Sequence, residues 1–189
     1  MEFVFNIRKS IAATGLLCRL NGGKIEVREM LKMLYLADKT AITKWHRSIT
    51  GDLIFSMPQG MVLSRIYNLA RYNVSGSDME AWKSVFTPRE GHAVSVREDA
   101  NLDMGPLSER EEDALKSAFE TVKGLISEHG EDYITVLHDM LPEWKNPNGS
   151  SILVDPSEIL LKSGEDPDEI TAISAELAAI NSAMLALHL

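Results

Sequence analysis

The stretch that constrains this chain most runs from Leu31 to Asn68, LKMLYLADKTAITKWHRSITGDLIFSMPQGMVLSRIYN. Leu31, Leu34, Ala37, Asp38 and Ala41 fall on one side of a 3.6-residue repeat, so an aliphatic stripe carries one carboxylate among its members. A buried charge without partners costs several kcal/mol, and a helix that buries this stripe must therefore bring donors to Asp38. The nearest source is the irregular connector that follows. Arg47, Ser48 and Thr50 lead into Gly51-Asp52, then Leu53-Ile54-Phe55, then Pro58-Gln59-Gly60. Its buried main-chain N–H groups need acceptors, so Asp38 is expected to cap the connector; Tyr35 reads first as a helix aromatic with its ring packed, and as the lesser alternative its hydroxyl joins the same network. Gly51 and Gly60 mark backbone turns that a side chain would obstruct.

Around this stretch the pattern is mostly helical. Helices are expected over residues 5–20, ended by Asn21-Gly22-Gly23, then 26–45, 62–72, 77–86 and 108–128. Ser77 with Glu80, and Ser108 with Glu111, have the spacing of capping boxes. Between them Val94 and Val96, then Leu102 and Met104, alternate with polar residues, which reads as a small β-hairpin within 92–104. A helix over 133–140 is broken by Pro142, and Asp155-Pro156 and Asp166-Pro167 open helices over 156–162 and 170–187. The expected fold is mainly α, an irregular multi-helix bundle with one small antiparallel β-hairpin. Residues 1–145 form the principal domain, and 146–189 a helical extension packed on it. In the last helix Ile170, Ile173, Leu177, Ile180, Met184 and Leu187 recur at 3-4-3-4-3 spacing, suited to packing on this chain or pairing with a second copy.

At 189 residues, 44% hydrophobic and 25% charged, the chain has ordinary globular composition, and no apolar run approaches a membrane span. The start does not resemble a signal peptide and the single cysteine, Cys18, excludes an internal disulfide, which together lead to an expected cytoplasmic location. Cys18 lies between Leu17 and Arg19 and reads as a small packing residue. The charge is unevenly divided: residues 1–89 hold 13 Lys or Arg against 7 Asp or Glu, and residues 90–189 hold 6 against 21. The basic half has scattered cations without interleaved aromatics or a recognition helix, so nucleic acid is not the expected partner; the acidic half could shield a basic one.

Motifs for zinc binding, phosphate loops and nucleophile elbows are missing from the sequence. Of five histidines, His46, His92, His129 and His188 sit beside element ends, and only His138 lies in an apolar helical setting. Asp38, Asp52 and His138 would be the groups of a small-molecule enzyme, provided they converge around an open pocket. Trp45, Met57, Met61 and Arg65, at the margins of the connector, are the candidate partner-binding residues, being types enriched at interface cores. Trp144, after Pro142, is expected to close the core. No cofactor or metal is implied.

Met33-Leu34-Tyr35-Leu36-Ala37-Asp38, then Thr50-Gly51-Asp52, then Gly60-Met61-Val62 with Tyr67, and finally His138, Pro142 and Trp144 resemble, in that order, the Panacea domain of SocA-like antitoxins. Where that family usually has Gly-Pro-Val this chain has Gly60-Met61-Val62. The resemblance spans roughly residues 5–145 and makes Tyr35, Asp38, Gly51, Gly60, His138 and Trp144 signature positions. It implies an antitoxin of a bacterial or phage toxin–antitoxin pair, neutralising a co-encoded protein toxin by direct contact. A SocA-like member can also act as an adaptor that delivers its partner to a protease.

Overall fold

The computed structural model describes residues 1–88 and 90–187; His188 lies outside the described residues. Asn6 accepts a bond from the Lys9 amide at 3.0 Å and opens α1 (Ile7–Leu20), and the chain then makes a short strand, β1 (Lys24–Glu26). Helix α2 (Val27–Trp45) follows, as the stripe of apolar residues predicts, and ends where His46 adopts the left-handed conformation. The connector folds back as an antiparallel hairpin, β2 (Ile54–Met57) with β3 (Gly60–Leu63), and passes directly into α3 (Ser64–Ala70). Then come α4 (Ser77–Val85), β4 (Ala93–Ser95), the long α5 (Glu109–His129), a single 3₁₀ turn, and α6 (Tyr133–Asp139). The last segment adds β5 (Ile152–Val154), α7 (Pro156–Lys162) and α8 (Pro167–Ala186).

Helix α2 is the axis of the molecule. It packs on α1, α3, α5, α7, β1 and β3, and its Met30, Met33, Leu34, Tyr35, Ala37 and Ile42 are wholly enclosed. The sheets are small: β1 pairs with β4, and β2 is the centre of a three-stranded antiparallel sheet in the order β3-β2-β5. Strand β5 thus ties residues 152–154 to the connector, while the Met1 ammonium reaches Asp155 at 3.1 Å. The caps read from the sequence form at Ser108, whose amide bonds Glu111, and at Asp155 and Asp166, each receiving an amide at 2.8 Å ahead of a first-turn proline. Cys18 is buried against α1's neighbours, and burial pushes its thiol up to about 12, consistent with a packing role.

The structure corrects several expectations. The antiparallel hairpin lies at 54–63, within the stretch read as a loop and the start of a helix, and not at 92–104. Ala93–Ser95 pairs instead with Lys24–Glu26, a partner about 70 residues away that local alternation cannot reveal. Leu102, the supposed opposite strand, turns inward onto α1, where Gly15 leaves the space its side chain occupies: a Cβ on Gly15 would stand 2.4 Å from Leu102 Cδ2. Ser77 is not a cap, since α4 begins after Gly76, and Glu80 pairs with Lys83. The uneven charge is partly paired within the fold. Arg8, Lys9, Lys24, Arg28, Lys39 and Arg47 from the basic half pair with Asp103, Glu111, Glu90, Glu131, Glu143 and Glu176 from the acidic half. Six cations of the basic half thus find counter-ions in the acidic half, while most of the 21 carboxylates after residue 89 are not engaged in this way.

Gly51 takes φ +65°, and a Cβ there would stand 1.9 Å from the Val4 carbonyl oxygen. Gly51→Ala is expected to lose at least about 2 kcal/mol in urea unfolding and to free the first residues for proteolysis. An unchanged midpoint would mean that the Val4 contact is dispensable.

Candidate functional site

The charge on the core stripe is satisfied as the sequence requires. Asp38, 1% exposed, accepts from the amides of Ile49 (2.6 Å) and Thr50 (3.1 Å) and from the hydroxyls of Ser48 and Thr50. Both hydroxyls pass the network on, because Ser48 Oγ accepts from the Gly51 amide at 2.7 Å and Thr50 Oγ1 from the Asp52 amide at 3.2 Å. Asp52 in turn accepts from the Arg65 and Ile66 amides at 3.0 and 2.9 Å, capping the first turn of α3 from across the connector. Two carboxylates therefore fix one loop: Asp38 holds its entry to α2, and Asp52 holds its exit to α3. Burial raises the affinity of both for protons, and Asp52 is pushed up to about 6 despite its amide donors.

Tyr35 is not part of that network. Its hydroxyl donates to Glu143, which lies just after Pro142, is completely buried and also receives Lys39 Nζ at 2.8 and 2.9 Å. Burial and the Glu143 carboxylate hold the Tyr35 hydroxyl well above its usual range, so it stays a donor. A single buried ion pair with a tyrosine thus anchors the segment after α6 to the middle of α2. Sequence reasoning passed over Glu143 and Lys39 because neither has local context that marks it; the one available signal is that Tyr35 and Lys39 are four residues apart on one helix face.

The remaining signature positions meet around Gly60. His138 of α6 stacks on Trp144, with ring centroids 3.8 Å apart and planes 11° from parallel, and Trp144 Nε1 donates to the Met57 carbonyl at 3.0 Å. Gly60 has φ +100°, and a Cβ there would come within 2.9 Å of both His138 Nε2 and Lys32 Nζ. Trp144 closes the structure over the hairpin turn. His138 Nε2 is buried without a hydrogen-bond partner among the described residues, and burial together with the neighbouring Lys32 lowers its affinity for protons against an opposing pull from the Gln59 backbone.

Asp38, Asp52 and His138 do not converge. The aspartates spend their oxygens on the connector's backbone, and His138 shares no partner with either. The four candidate contact residues are also dispersed. Met61 is wholly buried in β3 and presents no side-chain surface. Trp45, at the end of α2, lies beneath the Arg110 guanidinium 4.7 Å from its ring. Met57 borders a groove with Leu31 and Lys32, some ~20 Å back along α2 from Trp45 at 1.5 Å per residue. Arg65 is exposed, its guanidinium 5.0 Å over the Phe5 ring, on a patch with Val4 and Leu53. The groove has a volume of about 790 Å³ and runs between the first turns of α2, the β2–β3 turn and Glu131.

What these features define is a mainly α domain in which a buried aspartate on the central helix organises an irregular connector, and a second buried carboxylate locks down the segment after α6. The family model described as antitoxin SocA-like, Panacea domain matches residues 30–145, from the first turn of α2 to the residue after Trp144. The chain belongs to that family. No curated protein and no solved structure matches it.

The raised proton affinity of Asp52 has a definite sign. Its folded-state value of about 6 lies above the ordinary 3.8, so the folded chain binds the proton more tightly than the unfolded one, and stability from this group falls as pH rises from about 4 through 6. Asp52→Asn removes that titration. Its urea-unfolding free energy relative to the wild type is therefore expected to improve by roughly 2–3 kcal/mol between pH 4 and pH 7.5. A difference that worsens with pH would show that the ionised carboxylate is favoured by its two amide donors over its burial. Asp38→Ala, which strands the Ile49 and Thr50 amides, is expected to lose about 3 kcal/mol or more in the same measurement.

Proposed function

We propose that the protein is the antitoxin of a toxin–antitoxin pair and neutralises a co-encoded protein toxin by stoichiometric contact, occluding its substrate site or holding it inactive. The observation that carries this reading is membership in the SocA-like antitoxin family over residues 30–145, the segment that contains the central helix, the connector and the segment that closes over it. The dispersal of Asp38, Asp52 and His138 argues in the same direction, because the rival small-molecule enzyme needs them around one pocket.

For the contact surface, the patch around Arg65 is the strongest of the candidates. Arg65 is the one exposed member of the four residues singled out from the sequence, and its neighbours Val4 and Leu53 are exposed aliphatic side chains. The patch also sits on the best-fixed part of the connector. Val4 lies against Gly51, the Asn6 amide donates to the Thr50 carbonyl at 2.8 Å, and the Arg65 amide is held by Asp52. A rigid arginine flanked by apolar side chains is the composition of an interface hot spot. The free stripe at the end of α8, Ile180 and Met184, is a second apolar surface, available to a toxin or to a second copy of the chain.

Co-expression with the product of the adjacent open reading frame, with growth as the readout and co-purification as the second, tests the proposal. Rescue of a toxic neighbour together with a stable complex supports contact neutralisation. Rescue with falling toxin levels and no complex replaces it with proteolytic delivery, and no effect on a toxic neighbour removes the antitoxin reading for that pair. Within a confirmed complex, Arg65→Ala is expected to weaken binding by more than about 1 kcal/mol, and Leu53→Asp by more, while both melt like the wild type. Unchanged affinity in both would move the interface elsewhere.

A further inference from the structure

Among the buried charges of the described residues, Lys32 is the exception. Asp38, Asp52 and Glu143 each have several donors, and Glu111 has Lys9 and Ser108. Lys32 is 2% exposed, makes no ion pair, and spends only one of its three donors, on the Met61 carbonyl at 3.2 Å. His138 Nε2, which lies on the same side of Gly60, is buried and has no hydrogen-bond partner among the described residues. A buried ammonium without a counter-charge is among the most unfavourable arrangements a folded chain can keep. Lys32 is one of the residues lining the groove of about 790 Å³, a volume typical of small-molecule sites, together with Val27, Leu31, Met57 and Val62.

The other charges of the groove are largely balanced. Its carboxylates are mostly engaged, Glu29 by Lys123 at 2.6 Å and Glu131 by Arg28 at 2.8 Å, leaving Glu26 at the exposed rim. The first turn of α2 lines it, and while the Val27 amide is taken by the His92 carbonyl, the Arg28 and Glu29 amides have no intrahelical acceptor.

We propose that this groove is a binding site for a small amphipathic oxyanion, a carboxylate or phosphate seated on Lys32 with its apolar body along Val27, Leu31, Met57 and Val62. The anion supplies the charge that Lys32 lacks, and the spare ammonium protons supply its hydrogen bonds. A small molecule fits better than a protein face, because Lys32 lines the groove yet is only 2% exposed, so that a thin end group could reach it and a flat surface could not. Gly60 keeps the inner end open, since any side chain there would fill the space between Lys32 and His138. The inference goes beyond the antitoxin reading and does not depend on it.

Isothermal titration calorimetry of the full chain with hexanoate, hexyl phosphate and, as neutral control, 1-hexanol tests the site. Saturable one-to-one binding of at least one anion, with the alcohol far weaker, is expected. Lys32→Met keeps the shape and removes the charge; it is expected to melt no lower than the wild type and to bind the anion at least about tenfold more weakly. Burial and Arg28 lower Lys32 to about 7, so wild-type affinity is expected to fall as pH rises above 7, by up to about tenfold per unit. Glu26, Arg28, Glu29, Tyr67, His92 and Glu131 also line the groove and His138 lies beside Lys32 at Gly60, and the pH dependence above 7 must therefore vanish in Lys32→Met to belong to Lys32. No binding of either anion at millimolar concentration, equal binding of the alcohol, or undiminished binding by Lys32→Met overturns the proposal.

Discussion

The bonds from the connector to Asp38 are the interaction on which the rest of the structure depends. A carboxylate on the buried face of α2 is tolerable only with donors, and the chain supplies them from the residues that leave the helix, Ser48, Ile49 and Thr50. Once those residues are fixed, the amides of Gly51 and Asp52 are fixed through the Ser48 and Thr50 hydroxyls, and Asp52 is aimed at the first turn of α3. Backbone polar groups of an irregular segment can be buried in this way without a regular ladder, at the cost of two buried carboxylates. The hairpin β2–β3 is what lies between these two anchors.

A second principle is that the halves of the chain partly pair their opposite charges. The cations before residue 89 and the carboxylates after it look, in sequence order, like a basic and an acidic surface. In three dimensions α5 and the segments around it lie against α1 and α2, so pairs such as Lys9–Glu111 and Lys39–Glu143 form across sequence separations of about 100 residues. Most of these pairs are exposed and contribute little each to stability. Lys32 escapes this pairing altogether, and that is what makes the groove beside it chemically distinct.

Much of the site could be read in advance. The Asp38 cap followed from one polar residue on an apolar stripe, and the turns at Gly51 and Gly60 from the rarity of side-chain-free positions in an apolar stretch. What was not legible involved partners distant in sequence. The Tyr35 hydroxyl was placed, as the lesser alternative, with Asp38 because the two are close on one helix, whereas it goes to Glu143, 108 residues away. Val94 and Val96 had the alternation of a strand, but alternation reports only that one face is buried and does not name the pairing strand. Met61 looked like a contact residue for its type, and register placed it inside.

The sequence by itself determined the mainly α architecture, the length of α2, the need for donors at Asp38 and the proline-led starts of the last two helices. Each of these follows from local physics, namely periodicity, burial cost and helix-end chemistry, which act over a few residues. Tertiary structure alone decided which strands pair, that Glu143 and Lys39 close the segment after α6, that six cations of the first half meet carboxylates of the second, and that Lys32 is left buried without a counter-ion among the described residues. Those outcomes depend on which distant surfaces meet, and the free energy of such meetings is set by shape and desolvation across the whole core, quantities that no short window of sequence contains.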